Sequence, residues 1–334
     1  MELETTPAAG VSVIMPACNA GGFIAGAIAS VLAQDSRVPR ELIVVDDGSS
    51  DDTLAIVTEL AGAHPEIVLL RNERRPGPSG ARNTGLLRAS GDYVAFLDAD
   101  DLWYRNHLQE GLDFLERNPD IDVVFYNSDI VDHASGVRIG DWFGQRRFLK
   151  QLTYEERDDG YCVVNDDLFR ALIDENFIHL QSMVVRRRSL AGVLFNEDIR
   201  RAEDRDFSIQ LHLTSQATFA FRNLVTSVYH RHDGSLTSES FQNSLDLALD
   251  QIHLFSSYLE RATLDAGFAS KLRRRIGGKY LFASYCFRKQ RDHRRALHAL
   301  RRSLAYRITF RQATELAKLA ISFVACGLPG RARR

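Results

Sequence analysis

A chain of 334 residues with 45% apolar and 26% charged side chains can bury a sizeable core, which excludes disorder, and its 22 Gly and 8 Pro exclude a collagen-like or linker composition. No run of roughly 18 apolar residues exists to span a bilayer, and the acidic start Met1-Glu-Leu-Glu is followed by no apolar segment of the secretory type. The net charge of -2 hides a split: residues 271–334 hold 18 Lys and Arg against only Asp292 and Glu315, so an acidic body carries a basic arm.

The first 130 residues or so alternate strand and helix patterns at the spacing of an α/β sheet. Val11–Met15 reads as a buried strand, and Gly22–Ala33 as a helix with Phe23, Ala27, Val31 and Ile24, Ile28, Leu32 in adjacent rows. Glu41–Val45 is the second strand, followed by a helix from Asp52 to about Ala61 that Ser50 or Asp51 can cap. Ile67–Leu70 is the third strand, Gly80–Ala89 a helix approached through Pro76-Gly-Pro-Ser, and Tyr93–Leu97 the fourth strand. Leu108, Leu112 and Leu115 mark another helix and Val123–Tyr126 another strand. Between 130 and 240 the pattern is irregular, with short apolar runs at Ser182–Val185 and Val225–Tyr229, and it reads as an α+β completion of the same domain. From Phe241 onward the chain reads as helical. The expected organisation is therefore residues 1–240 as one domain, split into halves at about 130, and residues 241–334 as a basic helical region. Cys18, Cys162, Cys286 and Cys326 lie far apart, as neither a zinc set nor a disulfide framework.

The acidic clusters fall just beyond strand ends, where open α/β sheets bind ligands. Asp98-Ala-Asp100-Asp101 offers two carboxylates at i and i+2 that can grip one hard cation, or a solvated loop that caps the next helix. Asp46-Asp47-Gly48-Ser49 can accept from a uracil N3–H or a ribose hydroxyl, or can be a turn. Pro76-Gly-Pro-Ser-Gly80-Ala81-Arg82-Asn83 suits an anion at a helix start, with Arg82 in reach of a diphosphate, although it is neither a dinucleotide fingerprint nor a P-loop. Arg201-Ala-Glu203-Asp204-Arg205-Asp206-Phe207 reads as a charged helix start or a catalytic pair. Tyr229-His-Arg231-His232-Asp-Gly-Ser235-Leu-Thr237 groups anion-binding side chains.

In this order the motifs resemble glycosyltransferase family 2, inverting nucleotide-sugar transferases of GT-A fold, over about residues 11–240. The resemblance rests on Val-Ser-Val-Ile-Met-Pro16-Ala-Cys18-Asn19, Asp46-Asp47-Gly-Ser, Gly80-Ala-Arg82-Asn83-Thr-Gly85, Asp98-Ala-Asp100-Asp101, Phe195-Asn-Glu197, Glu203-Asp204 and Arg231-His232. It implies an α/β GT-A architecture, Rossmann-like with a mostly parallel central sheet flanked by helices, followed by the helical basic extension. It also implies a metal-dependent transfer of a sugar from a nucleoside-diphosphate sugar, with UDP favoured, to a glycan or lipid-linked glycan acceptor. By position, Pro16, Asn19, Asp47 and Arg82 would line the nucleotide pocket, and Asp98 the ribose or metal side. Asp100 would bind Mn2+ or Mg2+, Asp204 would be the general base, and His232 would close over the diphosphate with Glu203 and Arg231 nearby. Cys18 stands where the family usually has Tyr, and Asn196 where Asp is frequent.

Two other classes fit parts of the pattern. A phosphohydrolase of the haloacid dehalogenase type also places Asp-x-Asp after a strand, but after the first rather than the fourth. A non-catalytic anion-binding scaffold suits the basic arm, yet the net charge of -18 over residues 1–270 opposes a nucleic-acid footprint. Leu297, Leu300 and Leu304 share one helical face while Arg294, Arg295, Arg301 and Arg302 share another. That pattern and the mostly apolar Ala313–Leu328 suit either a packed helical subdomain or peripheral contact with an anionic membrane surface from the cytoplasm. Trp142, Phe143 and the Arg146-Arg147 pair lie in a segment suited to an acceptor.

Overall fold

The structure, a computed structural model, describes residues 10–35, 40–150, 152–165, 167–232, 241–261, 263–306, 314, 315, 317 and 318. Asp233–Thr237 of the fifth motif, most of Ala313–Leu328, and Cys326 lie outside the described residues. The chain divides into two compact units, Met1–Ser235 and Leu236–Arg334.

In the first unit the elements run β1 (Val11–Ala17), α1 (Ile24–Leu32), β2 (Arg40–Asp46), α2 (Thr53–Ala63), β3 (Ile67–Arg71), α3 (Pro78–Arg88) and β4 (Tyr93–Phe96). They continue as β5 (Leu102–Trp103), α4 (His107–Arg117), β6 (Val123–Asp132), β7 (Arg138–Asp141), β8 (Tyr154–Glu156), β9 (Tyr161–Val164) and α5 (Leu168–Asp174). The unit ends with β10 (Met183–Arg186), α6 (Glu203–Ser215) and β11 (Phe219–Arg231). Among the described residues the strands form one sheet in the order β3-β2-β1-β4-β10-β6-β11-β9-β8, with β5 on β11 and β7 on β6. Strands β3, β2, β1, β4, β6 and β11 all run the same way, and β10 is inserted antiparallel between β4 and β6. The sheet is mixed around a parallel majority.

Apolar runs on the parallel strands explain this placement. Leu42 and Val44 of β2 pack into the core shared with α1 and α4, whereas Ile43 and Val45 face Ala81 of α3. A strand buried on both faces reads as a continuous apolar run rather than an alternation. Helix α1 buries Ile24, Ala27, Ile28 and Val31, leaving Phe23 at its N-cap. Helix α3 begins two residues earlier than its pattern predicts, because Pro78 occupies the first turn where its missing N–H costs nothing. It lies so close to β1 that a Cβ on Gly85 would come within 2.6 Å of Ile14 Cγ2, and one on Gly80 within 2.0 Å of the Arg75 carbonyl oxygen. Gly80 and Gly85 are thus packing requirements, whereas Gly77 has open space around it and a φ of 131° that disfavours a side chain.

The irregular stretch between 130 and 240 resolves into β7 to β10, α5 and α6, set between two long neighbouring strands. β6 runs on to Asp132 and β11 covers thirteen residues. Their apolar patterns break at buried polar residues that satisfy one another. Ser128 and Ser227 share a hydroxyl hydrogen bond of 2.6 Å, and Asn127 Nδ2 donates to Asn223 Oδ1 at 2.8 Å. Beside them His107 is fully buried, stacked on Trp103 at 4.3 Å, with Nδ1 2.9 Å from Thr226 Oγ1 and Nε2 without a partner.

Burial pushes the His107 imidazole from its ordinary 6.5 down to about 3. Between those values only the unfolded chain takes up the proton, so stability contributed by this site is complete above pH 6.5 and lost as pH falls toward 3. At pH 5 the loss is about 2 kcal/mol. Urea midpoints measured from pH 7 to 5 are expected to fall, and the fall to be shallower by about one proton in His107→Gln. An unchanged slope in that variant contradicts the assignment.

The second unit contains α7 (Phe241–Arg261), α8 (Ala266–Lys289) and α9 (His293–Tyr306). Asp265 caps α8 by accepting from the Phe268 N–H at 2.9 Å. Leu245, Ala283, Cys286, Ala296, Ala299 and Leu300 form its core, and Arg294, Arg295, Arg301 and Arg302 are exposed, as the heptad-like spacing predicts. No helix among the described residues is long and apolar enough to cross a membrane.

Candidate active site

Six parallel strands leave their carboxyl ends on one edge of the sheet, and the acidic motifs collect there. Asp46 ends β2 and Asp47 follows it, Asp98–Asp101 follow β4, and His230 and His232 flank the end of β11. Ala17 pairs with Asp46 and Ile14 with Phe96 in the register, so the ends of β1, β2 and β4 are adjacent.

The loops after β1 and β2 are tied together. Asn19, in the left-handed region at φ 51°, accepts from Ser50 N at 2.8 Å, and its own N–H donates to Ser49 Oγ at 3.1 Å. The N-cap position of α2 is Asp52 rather than Ser50 or Asp51; Ser50 donates to Asn19, and Asp51 accepts from Gly21 N at 2.9 Å, from Thr53 N at 3.1 Å and from Thr53 Oγ1 at 2.5 Å. Asp47 accepts from Asn72 Nδ2 at 2.5 Å and from the Gly77 N–H at 2.7 Å, immediately before α3. Pro16 is half-buried on β1, and Cys18 is exposed beside Asp47, its Sγ 3.8 Å from the Asp47 carbonyl.

Arg82 is the hub. Its side chain is buried, donating from one terminal nitrogen to Asp98 Oδ1 at 2.6 Å and from the other to Glu203 Oε1 at 2.9 Å. Burial alone would lower its pKa, but the two carboxylates hold it above the ordinary arginine value. Burial in turn pushes the Glu203 carboxyl up, against the pull of Arg82 and with help from the neighbouring Asp204 charge. Arg82 and Glu203, two of the residues expected near a diphosphate, are therefore engaged with each other. Asp204, half-buried at the start of α6, accepts from Asn176 Nδ2 at 2.8 Å and from the Arg205 N–H at 2.7 Å.

Asp98, Asp100 and Asp101 bring three carboxylate oxygens within 4.8 Å of one another. Burial and then the Asp98 charge raise the Asp100 carboxyl, with His232 opposing; burial raises Asp101 well above its usual range. Asp101 accepts from the His230 N–H at 2.7 Å, whereas His232 Nε2 lies 3.0 Å from Asp100 Oδ2. Hard oxygen donors that repel one another when ionised fit a divalent cation of the Mg2+ or Mn2+ kind. Asp98 and Asp100 would hold it, since both retain exposed oxygen, while Asp101 is buried against β11. Arg231, at the exposed end of β11, pairs in register with Asp132. The Phe195-Asn-Glu197 segment is explained by Asn83, whose amide bonds Phe195 N, Phe195 O and Glu197 Oε1 at 2.8 to 2.9 Å. Asn196 serves only a local turn, accepting from Asp198 N.

Sequence reasoning misses Asn72 and Asn176, which hold Asp47 and Asp204, and His179, stacked on Trp142, all lone polar residues without a spacing signal. It names Trp142 and Arg146; Arg146 lies near Asp204 through Asn176 and over the Trp142 ring, whereas Phe143 is core, packed on Phe148 and Phe221, and Arg147 is exposed.

Residues 12–172 match the family model of glycosyl transferase family 2. The chain carries a glycosyl transferase family 2 domain. Over 125 residues it is 42% identical to the Escherichia coli UDP-Glc:alpha-D-GlcNAc-diphosphoundecaprenol beta-1,3-glucosyltransferase WfgD, a match covering 37% of this chain and 48% of that protein. It is 29% identical to the Erwinia amylovora amylovoran biosynthesis glycosyltransferase AmsB over 297 residues, 85% of this chain and 92% of the other. The chain thus spans about half the length of WfgD and nearly all of AmsB. Among solved structures, S. aureus TarS 1–349 in complex with UDP-GlcNAc superposes with a TM-score of 0.61 at 20% identity, covering 94% of this chain and 89% of that one. The mannosyltransferase PcManGT from Pyrobaculum calidifontis, in complex with GDP-Man and Mn2+, gives 0.55 at 20% identity, over 95% and 81%. The chain has the GT-A fold shared by those neighbours.

Proposed function

We propose that the protein is an inverting glycosyltransferase that moves a hexose from a UDP-sugar to a hydroxyl of a lipid-linked glycan in cell-surface polysaccharide synthesis. One observation carries the reading: Arg82 ties Asp98, at the metal side, to Glu203, whose chain neighbour Asp204 keeps a half-exposed carboxylate. The donor and the base are thereby held on one rigid frame.

Asp47, fixed by Asn72 and Gly77, accepts from the nucleobase, with Pro16 and Asn19 shaping that pocket. Asp98 and Asp100 would hold a divalent ion, Mn2+ or Mg2+, which would supply charge neutralisation for the leaving diphosphate. His232, whose Nε2 faces Asp100 Oδ2 at 3.0 Å, lies beside the place of that diphosphate, with Arg231 adjacent. Asp204 takes the proton from the acceptor hydroxyl as that oxygen attacks the anomeric carbon from the face opposite the leaving group. Asn176 and the Arg205 N–H orient the carboxylate for this task. One displacement inverts the configuration without a glycosyl-enzyme.

UDP as donor nucleotide is supported by the names of WfgD and the TarS complex, and a diphosphate-linked lipid acceptor by that of WfgD. The exposed Arg294, Arg295, Arg301 and Arg302 suit a peripheral position on an anionic cytoplasmic membrane face. The test is product analysis with UDP-glucose and a GlcNAc-diphosphoryl lipid. A β-linked product, read from its anomeric proton coupling, is expected; an α-linked product contradicts the single displacement.

A further inference from the structure

Arg146 sits next to the base through Asn176. Its Nε donates to the Asn176 carbonyl at 3.1 Å, and Asn176 Nδ2 donates to Asp204. The guanidinium lies 4.0 Å over the Trp142 ring, which also stacks on His179 at 4.3 Å with an interplanar angle of 13° and donates Nε1–H to the Phe177 carbonyl at 2.9 Å. The platform under Arg146 is therefore fixed. Its two terminal nitrogens nevertheless make no hydrogen bond and no ion pair with any described residue. Arg82 shows the contrast, with a carboxylate on each terminal nitrogen.

Burial lowers the Arg146 pKa, while Glu175, Asp204 and Tyr229 oppose this without touching it. Burial keeps His179 neutral, at about 4, so the cradle holds a single cation. A half-buried guanidinium, held over an aromatic ring with two forked donors unused, is built for a planar or tetrahedral oxyanion.

We propose that Arg146 receives an oxyanion carried by the acceptor close to its attacking hydroxyl, a phosphate of a diphosphate linkage or the carboxylate of an acidic sugar. This rests on the reading of Asp204 as the base. Neutral acceptors would leave the cation unpaired, so the residue selects for charged ones.

The chain has only two tryptophans, and the other, Trp103, is buried away in the core, so a ligand on Arg146 should be visible in Trp142 fluorescence. The probes are N-acetylglucosamine 1-phosphate, glucuronate and the neutral methyl N-acetylglucosaminide, each titrated with and without saturating UDP and Mg2+. Saturable quenching by the sugar phosphate is expected, undiminished by UDP. Arg146→Gln should weaken it about 10- to 100-fold, Arg146→Lys should restore part of it, and both should melt with the wild-type midpoint. Tighter binding of glucuronate than of the sugar phosphate assigns the oxyanion to an acidic sugar. Equal binding by Arg146→Gln, loss of binding in the presence of UDP, equal binding of the neutral glycoside, or no binding at all overturns the proposal. A protein that fails to bind UDP sinks the transferase reading separately, and the titration without UDP still decides Arg146.

Discussion

Asp204→Asn is expected to lower transfer by about 10²- to 10⁴-fold while UDP affinity stays at the wild-type level. The substitution keeps the size and planarity of the side chain, and an amide oxygen still accepts from the Arg205 N–H. What disappears is the proton acceptor. Because Asp204 meets Arg82 only through its neighbour Glu203, the donor frame of Asp98, Arg82 and Glu203 is left intact. Steady-state rates with a saturating donor, set beside UDP titrations, separate the two effects. Near-normal turnover would remove Asp204 from the chemistry, and parallel loss of UDP binding would make it part of the donor pocket.

Arg82→Met is expected to cost about 3–5 kcal/mol of stability, because it strands Glu203 inside the protein with no counter-charge. Glu203 is only 8% exposed and its carboxyl is already pushed up by burial even with Arg82 present. Replacing Glu203 by Gln in the same chain should return part of the loss, since the amide needs no cation. Urea unfolding of the four proteins in that cycle gives the coupling. Additive losses would show that Arg82 and Glu203 are not the interlocked pair seen here.

Much of this site could be read from the chain because its chemistry sits where local pattern changes. Leu42–Val45 and Tyr93–Phe96 are apolar runs that end abruptly in Asp, and a strand that stops in carboxylates marks the ligand edge of a parallel sheet. The pairing of Arg82 with both Asp98 and Glu203 was not legible, because it joins residues 16 and 121 positions apart. The strands β6 and β11 were truncated in the sequence reading for a related reason. Asn127, Ser128, Thr226 and Ser227 look like breakers until their partners across the sheet are known. Antiparallel β10 is too short to announce its direction. Trp142 and Arg146 stand out as residue types, yet only the fold reveals that Asn176 links Arg146 to Asp204.

The decisive measurement is calorimetric titration of UDP into the wild type, Asp47→Asn and Asp100→Asn, each with Mn2+ and with the metal chelated. If the strand-end carboxylates form one nucleotide site, chelation weakens UDP binding in the wild type, and Asp47→Asn weakens it under both conditions. Asp100→Asn then binds weakly and ignores the metal. Equal affinity in all three proteins, with or without Mn2+, would mean that these carboxylates do not converge on a nucleoside diphosphate.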